Sequence, residues 1–284
     1  SRGLGFEAAL AFARHGDRVY ASMRDRSAAE PLIQAARSES LDVRTLVLDV
    51  SQPQTFTAVV EEVTGEAGRL DVLVNNAGIV KTAAFEDTSE QDLRQVMETN
   101  FFGPMLLARA VLPVMRAQGS GRIIMMGSLS GIAGLPVDVA YTASKFALEG
   151  ATEALRHEVD RWGIKVALVE AGMYATGIFA GSLEGAAELP PAYPPDSAYL
   201  PLVKSRLQEV RKSLESAFPP SLVANLFVKI AHSDEPRLRW PADEVARSVL
   251  ETMFAQDDSA RDAFLREVAG TDWWSEGREA PEGP

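Results

Sequence analysis

The sequence predicts an α/β fold, a doubly wound parallel sheet with helices on both faces, formed as a single domain over residues 1–284. Three observations carry this. Short apolar runs rich in β-branched residues recur at 18–23, 43–48, 71–75, 122–126 and 165–170, with a weaker one at 237–240. Helical patterns separate them, and strands alternating with helices imply βαβ units whose right-handed crossovers give a parallel sheet covered on both sides. No composition break divides the 284 residues, and 46% hydrophobic with 24% charged residues is ordinary for a globular chain with a full core.

In chain order, Gly3-Leu4-Gly5 precedes a helical run at 6–14. Glycines at a strand-to-helix junction let backbone approach a pyrophosphate, which then rests on the free N–H groups and positive dipole end of the helix. The clearest helix spans 144–162, where Leu148, Ala151, Leu155, Val159 and Trp162 repeat at spacings of three and four and make one apolar stripe. Residues 177–236 then break the alternation with Pro190, Pro191, Pro194, Pro195 and Pro201. Two amphipathic stretches follow: Val203, Leu207, Val210 and Leu214, then Leu222, Leu226 and Ile230. An insertion of this length in a compact domain predicts a substrate lid. The segment 256–284 reads as an acidic, frayed tail.

Composition excludes several functions. Forty acidic residues against 28 basic ones give a net charge of -12, which repels phosphate backbones and argues against nucleic acid. The absence of Cys removes disulfides, thiolate nucleophiles and Cys-based metal centres. His15, His157 and His232 lie far apart in sequence, so no metal site is expected. No apolar run reaches the roughly 18 residues that a membrane span requires, and a cytoplasmic protein is the expectation.

Parallel sheets of this kind bind ligands at the carboxyl ends of their strands. Ser128, Tyr141 and Lys145 lie beyond such an end. Tyr and Lys at i and i+4 share one helix face, so an ammonium can stand near the phenol. A phenol with an ordinary pKa of about 10 needs that charge to act as a base near neutrality.

These residues do not stand alone, and the chain resembles the short-chain dehydrogenase/reductase family, with its Rossmann fold, over nearly its whole length. Gly3-Leu4-Gly5 matches the end of the family's TGxxxGxG turn, Asp49-Val50 its Asp after the third strand, and Asn75-Asn76-Ala77-Gly78 its NNAG. Asn100 matches the catalytic Asn, Ser128 the catalytic Ser, and Tyr141 with Lys145 the YxxxK. Gly134-Leu135-Pro136 and residues 144–150 are most similar to the branch of 17β-hydroxysteroid and retinol dehydrogenases.

The resemblance implies an oxidoreductase acting on CH–OH with a nicotinamide cofactor. Ser128 would hold the carbonyl oxygen, where negative charge grows as hydride reaches carbon, and Tyr141 would serve as general acid/base. Lys145 would lower the Tyr141 pKa and bond the nicotinamide ribose, with Asn100 holding a water of the proton relay. Cofactor contacts are expected from Arg2, Gly3, Leu4, Gly5, Arg24, Asp49, Val50, Asn76, Ala77, Gly78, Gly172 and Thr176. Thr176 would reach the carboxamide, although Ala171 replaces the family's Pro before Gly172. The family's first strand and the first Gly of its turn have no counterpart in the row, so an amino-terminal truncation is expected. The slot that an acidic residue fills in enzymes preferring NAD holds Met23, followed by Arg24, which with Arg2 favours NADP over NAD; Asp25 argues the other way.

Leu135, Val137, Met173, Tyr174, Phe179 and the apolar stripe of the insertion form an expected hydrophobic substrate lining. A lipophilic ketone or secondary alcohol, with steroid- or retinoid-like bulk, would fit it. The helical stretches at 104–117 and 144–162 resemble those that pair subunits in the family, so a homodimer or homotetramer is expected. The competing reading is a catalytically silent NADP-sensing protein of the same fold, against which the full Asn100, Ser128, Tyr141 and Lys145 set argues. An enoyl reductase would want Tyr and Lys seven apart, and position 148 is Leu.

Overall fold

A computed structural model describes residues 2–176, 178, 188–190, 193–255, 260, 264, 267, 268, 270, 273 and 278. Phe179 and most of the tail lie outside them. The described strands are β1 (Val19–Met23), β2 (Val43–Val47), β3 (Val72–Asn75), β4 (Gly121–Met126), β5 (Ile164–Glu170) and β6 (Arg239–Pro241). Each falls on a predicted run. All described pairings are parallel, β1 with β2 and then β3-β4-β5-β6 in order. Between β1 and β3 runs a slot of about 710 Å3, lined by Val19, Ala21, Leu46, Val72 and Val74 among others.

The period of two along β4 and β5 explains why helices cover both faces. Ile123, Met125, Val166 and Leu168 point to one side, where they meet α3 (Phe56–Ala67), α5 (Gly103–Gln118) and α6 (Val139–Val159). Ile124, Ala167 and Val169 point to the other, where they meet α1 (Gly3–Arg14) and α8 (Pro220–Ala231). Ile123, Ile124 and Met125 are fully buried, each contributing about 1.5–3 kcal/mol. At the edges, α2 (Glu30–Ser38) packs under α1 and β1, and α9 (Glu244–Ala255) against Ile132 and Ala133.

Two expectations change. The long helix begins at Val139, five residues before the expected start at 144, so Tyr141 stands in its first turn. The insertion 177–236 is not one lid. Its second amphipathic stretch, α8, buries Val223, Ala224, Phe227 and Ile230 against the sheet and Phe12, and so belongs to the body. Among its described residues, the first helix, α7 (Leu200–Glu215), packs Leu202, Val203 and Leu207 on Ala84 and Val137, in the loops that follow β3 and β4. Polar contacts fasten the approach to α7: Ser197 Oγ donates to Asp87 at 2.6 Å and the Tyr199 hydroxyl to Glu86 at 2.9 Å.

Candidate active site

The carboxyl ends of β4 and β5 and the first turns of α6 bring the predicted catalytic residues together. Ser128, in extended backbone just past β4, opens a 3₁₀ turn and accepts a bond from the Ser130 N–H at 3.2 Å. Its hydroxyl stands near enough to the half-buried Tyr141 phenol to act on its proton affinity. One turn along α6, Lys145 is buried, with Nζ 5.7 Å from the Tyr141 ring centre and donating to the Met126 carbonyl at 2.7 Å.

Burial pushes the Tyr141 phenol up to about 12; the Ser128 bond pulls it down, and the Asp138 and Glu170 carboxyls push it further up. Burial likewise brings Lys145 down to about 8, with Glu170 opposing. The Met126 carbonyl holds the ammonium beside Tyr141, 5.7 Å from the ring centre, where its charge opposes the rise that burial imposes on the phenol.

Asn100 lies in a π-helical turn, Glu98–Phe102, a distortion common at functional sites. Its Oδ1 accepts the Ile79 N–H at 2.9 Å, while Nδ2 donates to the Ile79 carbonyl at 2.8 Å and to Ser144 Oγ at 3.0 Å. Both amide hydrogens are thus committed, and a relay water would have only the second lone pair of Oδ1. Ser144 Oγ in turn donates to the Tyr141 carbonyl at 2.7 Å. The loop between Ser128 and Tyr141 is held in an uncommon shape, for Val137 takes φ 64°, a region that β-branched residues rarely enter. Next to it, buried Asp138 accepts from Thr82 Oγ1 at 3.1 Å.

The expected cofactor residues gather at the amino end of α1. Gly3, at φ 58°, permits the turn, and a Cβ there would already touch Thr176 at 3.6 Å. The turn and the loop after β5 thus meet. Among the described residues no side chain caps this helix, which leaves its first N–H groups for an anion. Arg2, Gly5, Val50, Asn76 and Ala77 line the slot between β1 and β3, and Asn76 Oδ1 is buried with no hydrogen-bond partner among the described residues. Leu4 packs into the core against the α1–α8 side, and Gly78 lies near Asn100. Gly172 donates weakly to Asp243 at 3.4 Å.

At the end of β1, Asp25 is spent on its own turn, accepting the Ser27 N–H at 2.8 Å and hydroxyl at 2.6 Å. Asp49 accepts from the Ser51 N–H and hydroxyl, and its carboxyl feels the charge of Arg24.

Of the expected substrate lining, Leu135 and Met173 are half-buried. Tyr174 is core, its hydroxyl donating to Asp243 at 2.7 Å, and Val137 is covered by α7.

Two further groupings of side chains escaped sequence reasoning. Glu170, at the end of β5, is fully buried, and Glu149 nearly so. A lone acid closing the apolar run Val166-Ala-Leu-Val169 was the available signal. His15 and His232 meet on Asp17, with ring centres 4.1 Å apart, whereas the sequence separates them by 217 positions.

The sequence model of the family described as short chain dehydrogenase matches residues 1–186. The chain belongs to the short-chain dehydrogenase family. This dehydrogenase is 37% identical over 244 residues to the uncharacterized oxidoreductase YusZ of Bacillus subtilis, covering 85% of each chain. To human 17-beta-hydroxysteroid dehydrogenase type 1 it is 34% identical over 249 residues, 84% of this chain and 74% of that one. A crystal structure of a short-chain dehydrogenase from Streptomyces avermitilis superposes with a TM-score of 0.73 at 30% identity, covering 97% and 93% of the chains. A gluconate 5-dehydrogenase from Burkholderia cenocepacia, solved with NADP and tartrate, shares the fold at 24% identity and TM-score 0.70, over 87% and 92%.

Proposed function

We propose that this dehydrogenase is an NADP(H)-dependent alcohol dehydrogenase or carbonyl reductase that moves hydride between nicotinamide and a lipophilic ketone or secondary alcohol. One observation carries the reading: the Tyr141 phenol has Ser128 beside it and the buried Lys145 ammonium one helical turn away, 5.7 Å from its ring centre. A carbonyl oxygen placed between Ser128 and Tyr141 would receive two hydroxyl donors where negative charge develops. Tyr141 would then pass its proton to that oxygen, or remove it in the alcohol direction.

The residues at the α1 amino end fit a dinucleotide. An uncapped helix terminus, a glycine turn and the orphaned Asn76 Oδ1 beside the cavity offer donors and acceptors for phosphate and sugar. Bound nicotinamide supplies the hydride. NADP is favoured over NAD because Asp25 is held in its own turn by two bonds from Ser27, while Arg24, next in the chain to the slot of Met23, carries its charge close enough to Asp49 to act on it. The NADP bound to the Burkholderia relative supports the same choice. The half-buried Leu135 and Met173 offer apolar surface for a substrate, and the similarity to a 17-beta-hydroxysteroid dehydrogenase favours a bulky ring substrate.

A panel of ketones with NADPH, measured on the parent and Tyr141→Phe, tests the reading. Turnover should fall about 10²- to 10⁴-fold in the variant while NADPH still quenches protein fluorescence. Equal turnover in both would sink the assignment, and tighter quenching by NADH than by NADPH would reverse the cofactor choice.

A further inference from the structure

Behind the catalytic pair lies an ionisable network that the reaction scheme does not use. Tyr141, Lys145, Glu149 and Glu153 follow one another at four-residue steps along α6 and so form one row. Glu149 takes Arg239 Nε and the more exposed Glu153 takes Arg239 Nη2. Glu170 reaches this row from β5. Neither of its carboxyl oxygens meets an N–H or hydroxyl among the described residues, because what faces them is the Glu149 carboxyl. Gly127 makes the room, since a Cβ there would come within 2.8 Å of Glu170 Oε1. The carbonyl that holds the Lys145 ammonium belongs to the preceding residue, Met126. Glu170 is therefore packed between the catalytic lysine and Glu149.

Two carboxylates in dry contact cannot both be ionised, so the pair keeps a proton. Glu149 already faces Arg239, which assigns the proton to Glu170. Burial and the Glu149 charge both push the Glu170 carboxyl well above the usual range. Five charged or titratable groups face it or lie close by: Tyr141, Lys145 and Glu149 from α6, Arg239 from β6, and, past β6, Asp243, which is occupied by Tyr174 and the Ala246 N–H.

We propose that Glu170 is a positioning residue: poised as an acid by Glu149, it ionises as pH rises and so holds the Lys145 ammonium charged beside Tyr141. The proposal rests on the carbonyl reductase reading, and its test separates the two. The pH profile of kcat/KM is recorded with NADPH and a ketone from the panel for the parent, Glu170→Gln and Glu149→Gln. Glu170→Gln removes the counter-charge, and the alkaline limb should move down by about one pH unit, a tenfold change in proton affinity. Glu149→Gln removes the like charge, lets Glu170 ionise earlier, and should move the same limb up.

A purely structural role would lower activity in both variants without opposite shifts. Should Glu170→Gln not fold, as judged by circular dichroism, the upward shift in Glu149→Gln alone decides. Unmoved limbs in variants that fold would overturn the proposal while leaving the reductase reading intact. Turnover surviving in Tyr141→Phe would overturn the reductase reading itself.

A second inference rests on a separate observation. His15 and His232 cap the carboxyl ends of α1 and α8, and Asp17 stands between them. Asp17 Oδ2 lies 3.4 Å from His15 Nδ1 and 3.1 Å from His232 Nε2. All three ligand atoms fall within 4.8 Å of one another. Bonds of about 2.0–2.2 Å to a tetrahedral zinc ion set its ligand atoms about 3.3–3.6 Å apart, so the 3.4 Å separation suits such an ion and the 3.1 Å one needs to open only by a few tenths of an ångström. Both helix ends also present partial negative charge to a cation.

We infer that His15, Asp17 and His232 form a site for a divalent transition metal that clips α1 to α8. Protein without a polyhistidine tag is titrated with Co2+ and then Zn2+, following cobalt absorption and melting. One equivalent should bind and raise Tm by a few degrees, and His15→Ala and His232→Ala should each abolish both signals. No binding, or binding that both variants retain, would overturn the assignment.

Discussion

Helix α6 buries two kinds of side chain, and they do opposite things. One set, Leu148, Leu155 and Val159, packs on Ile123, Met125, Val166 and Leu168 of the sheet. The other, Ser144, Lys145 and Glu149, is equally hidden but polar. Removing the first set from water stabilises the fold at about 25 cal/mol per Å2. Hiding the second set costs stability, because charged forms lose hydration, and that cost appears as displaced proton affinities at Lys145 and the neighbouring Tyr141. One helix thus carries the core on one row and the chemistry on the next.

The sharpest way to break this contrast is to exchange effects between the rows. Lys145→Met keeps length and burial but removes the charge. Turnover per folded molecule should drop about 10²- to 10⁴-fold, with Tm unchanged or higher because an ammonium no longer has to be buried. Leu155→Ala should do the reverse, lowering unfolding free energy by about 2–5 kcal/mol while the rate per folded molecule stays near the parent's. Urea unfolding and active-site-normalised kinetics measure both. A Lys145→Met protein that melts well below the parent would show that the polar row also carries stability.

The two rows differ in how far the sequence reveals them. Apolar period fixes strands and stripe because burial of Leu155 or Ile123 needs only a greasy neighbour, whichever one arrives. The start of α6 at Val139 escaped, since its first turns bury Ala140, Ser144 and Lys145 and carry no apolar repeat. Ser128, Tyr141 and Lys145 were legible through their spacing and the family resemblance. What Lys145 faces was not, because the Met126 carbonyl and the Glu170 carboxyl come from separate strands. The division of 177–236 into a body helix and a covering helix depends on which surface each stripe meets. Two amphipathic patterns of equal quality cannot announce that. The His15–Asp17–His232 cluster is hidden for the same reason, being made by the packing of α1 on α8.

pH separates the rows without mutation. Lys145 is brought down to about 8 in the native state, against about 10.4 in an unfolded chain. Below pH 8 both states carry the proton and the full cost of burying the ammonium is present. Between about 8 and 10.4 the native state gives up its proton first, the unfolded state binds more, and stability from this residue rises with pH. Catalysis moves the other way, because the charge beside Tyr141 is lost over the same range. The difference in unfolding free energy between the parent and Lys145→Met should therefore narrow above pH 8 as kcat/KM falls. A difference independent of pH from 7 to about 10.4 would rule out a native lysine titrating near 8.

The smallest expected effect lies where the rows meet. Ser144 is fully buried, donates to the Tyr141 carbonyl, and accepts one hydrogen of the Asn100 amide. Ser144→Ala leaves that Asn100 hydrogen without its partner in a dry site, which costs about 1–3 kcal/mol. The other Nδ2 bond and the Oδ1 bond to Ile79 hold the amide in place, so the π-helical turn should survive. Turnover should fall only several-fold, because Tyr141 loses a brace on its backbone and keeps Ser128 at its hydroxyl. A loss as large as that of Lys145→Met would instead make Ser144 and Asn100 part of the proton path, and would move the boundary between core and chemistry one turn further into the helix.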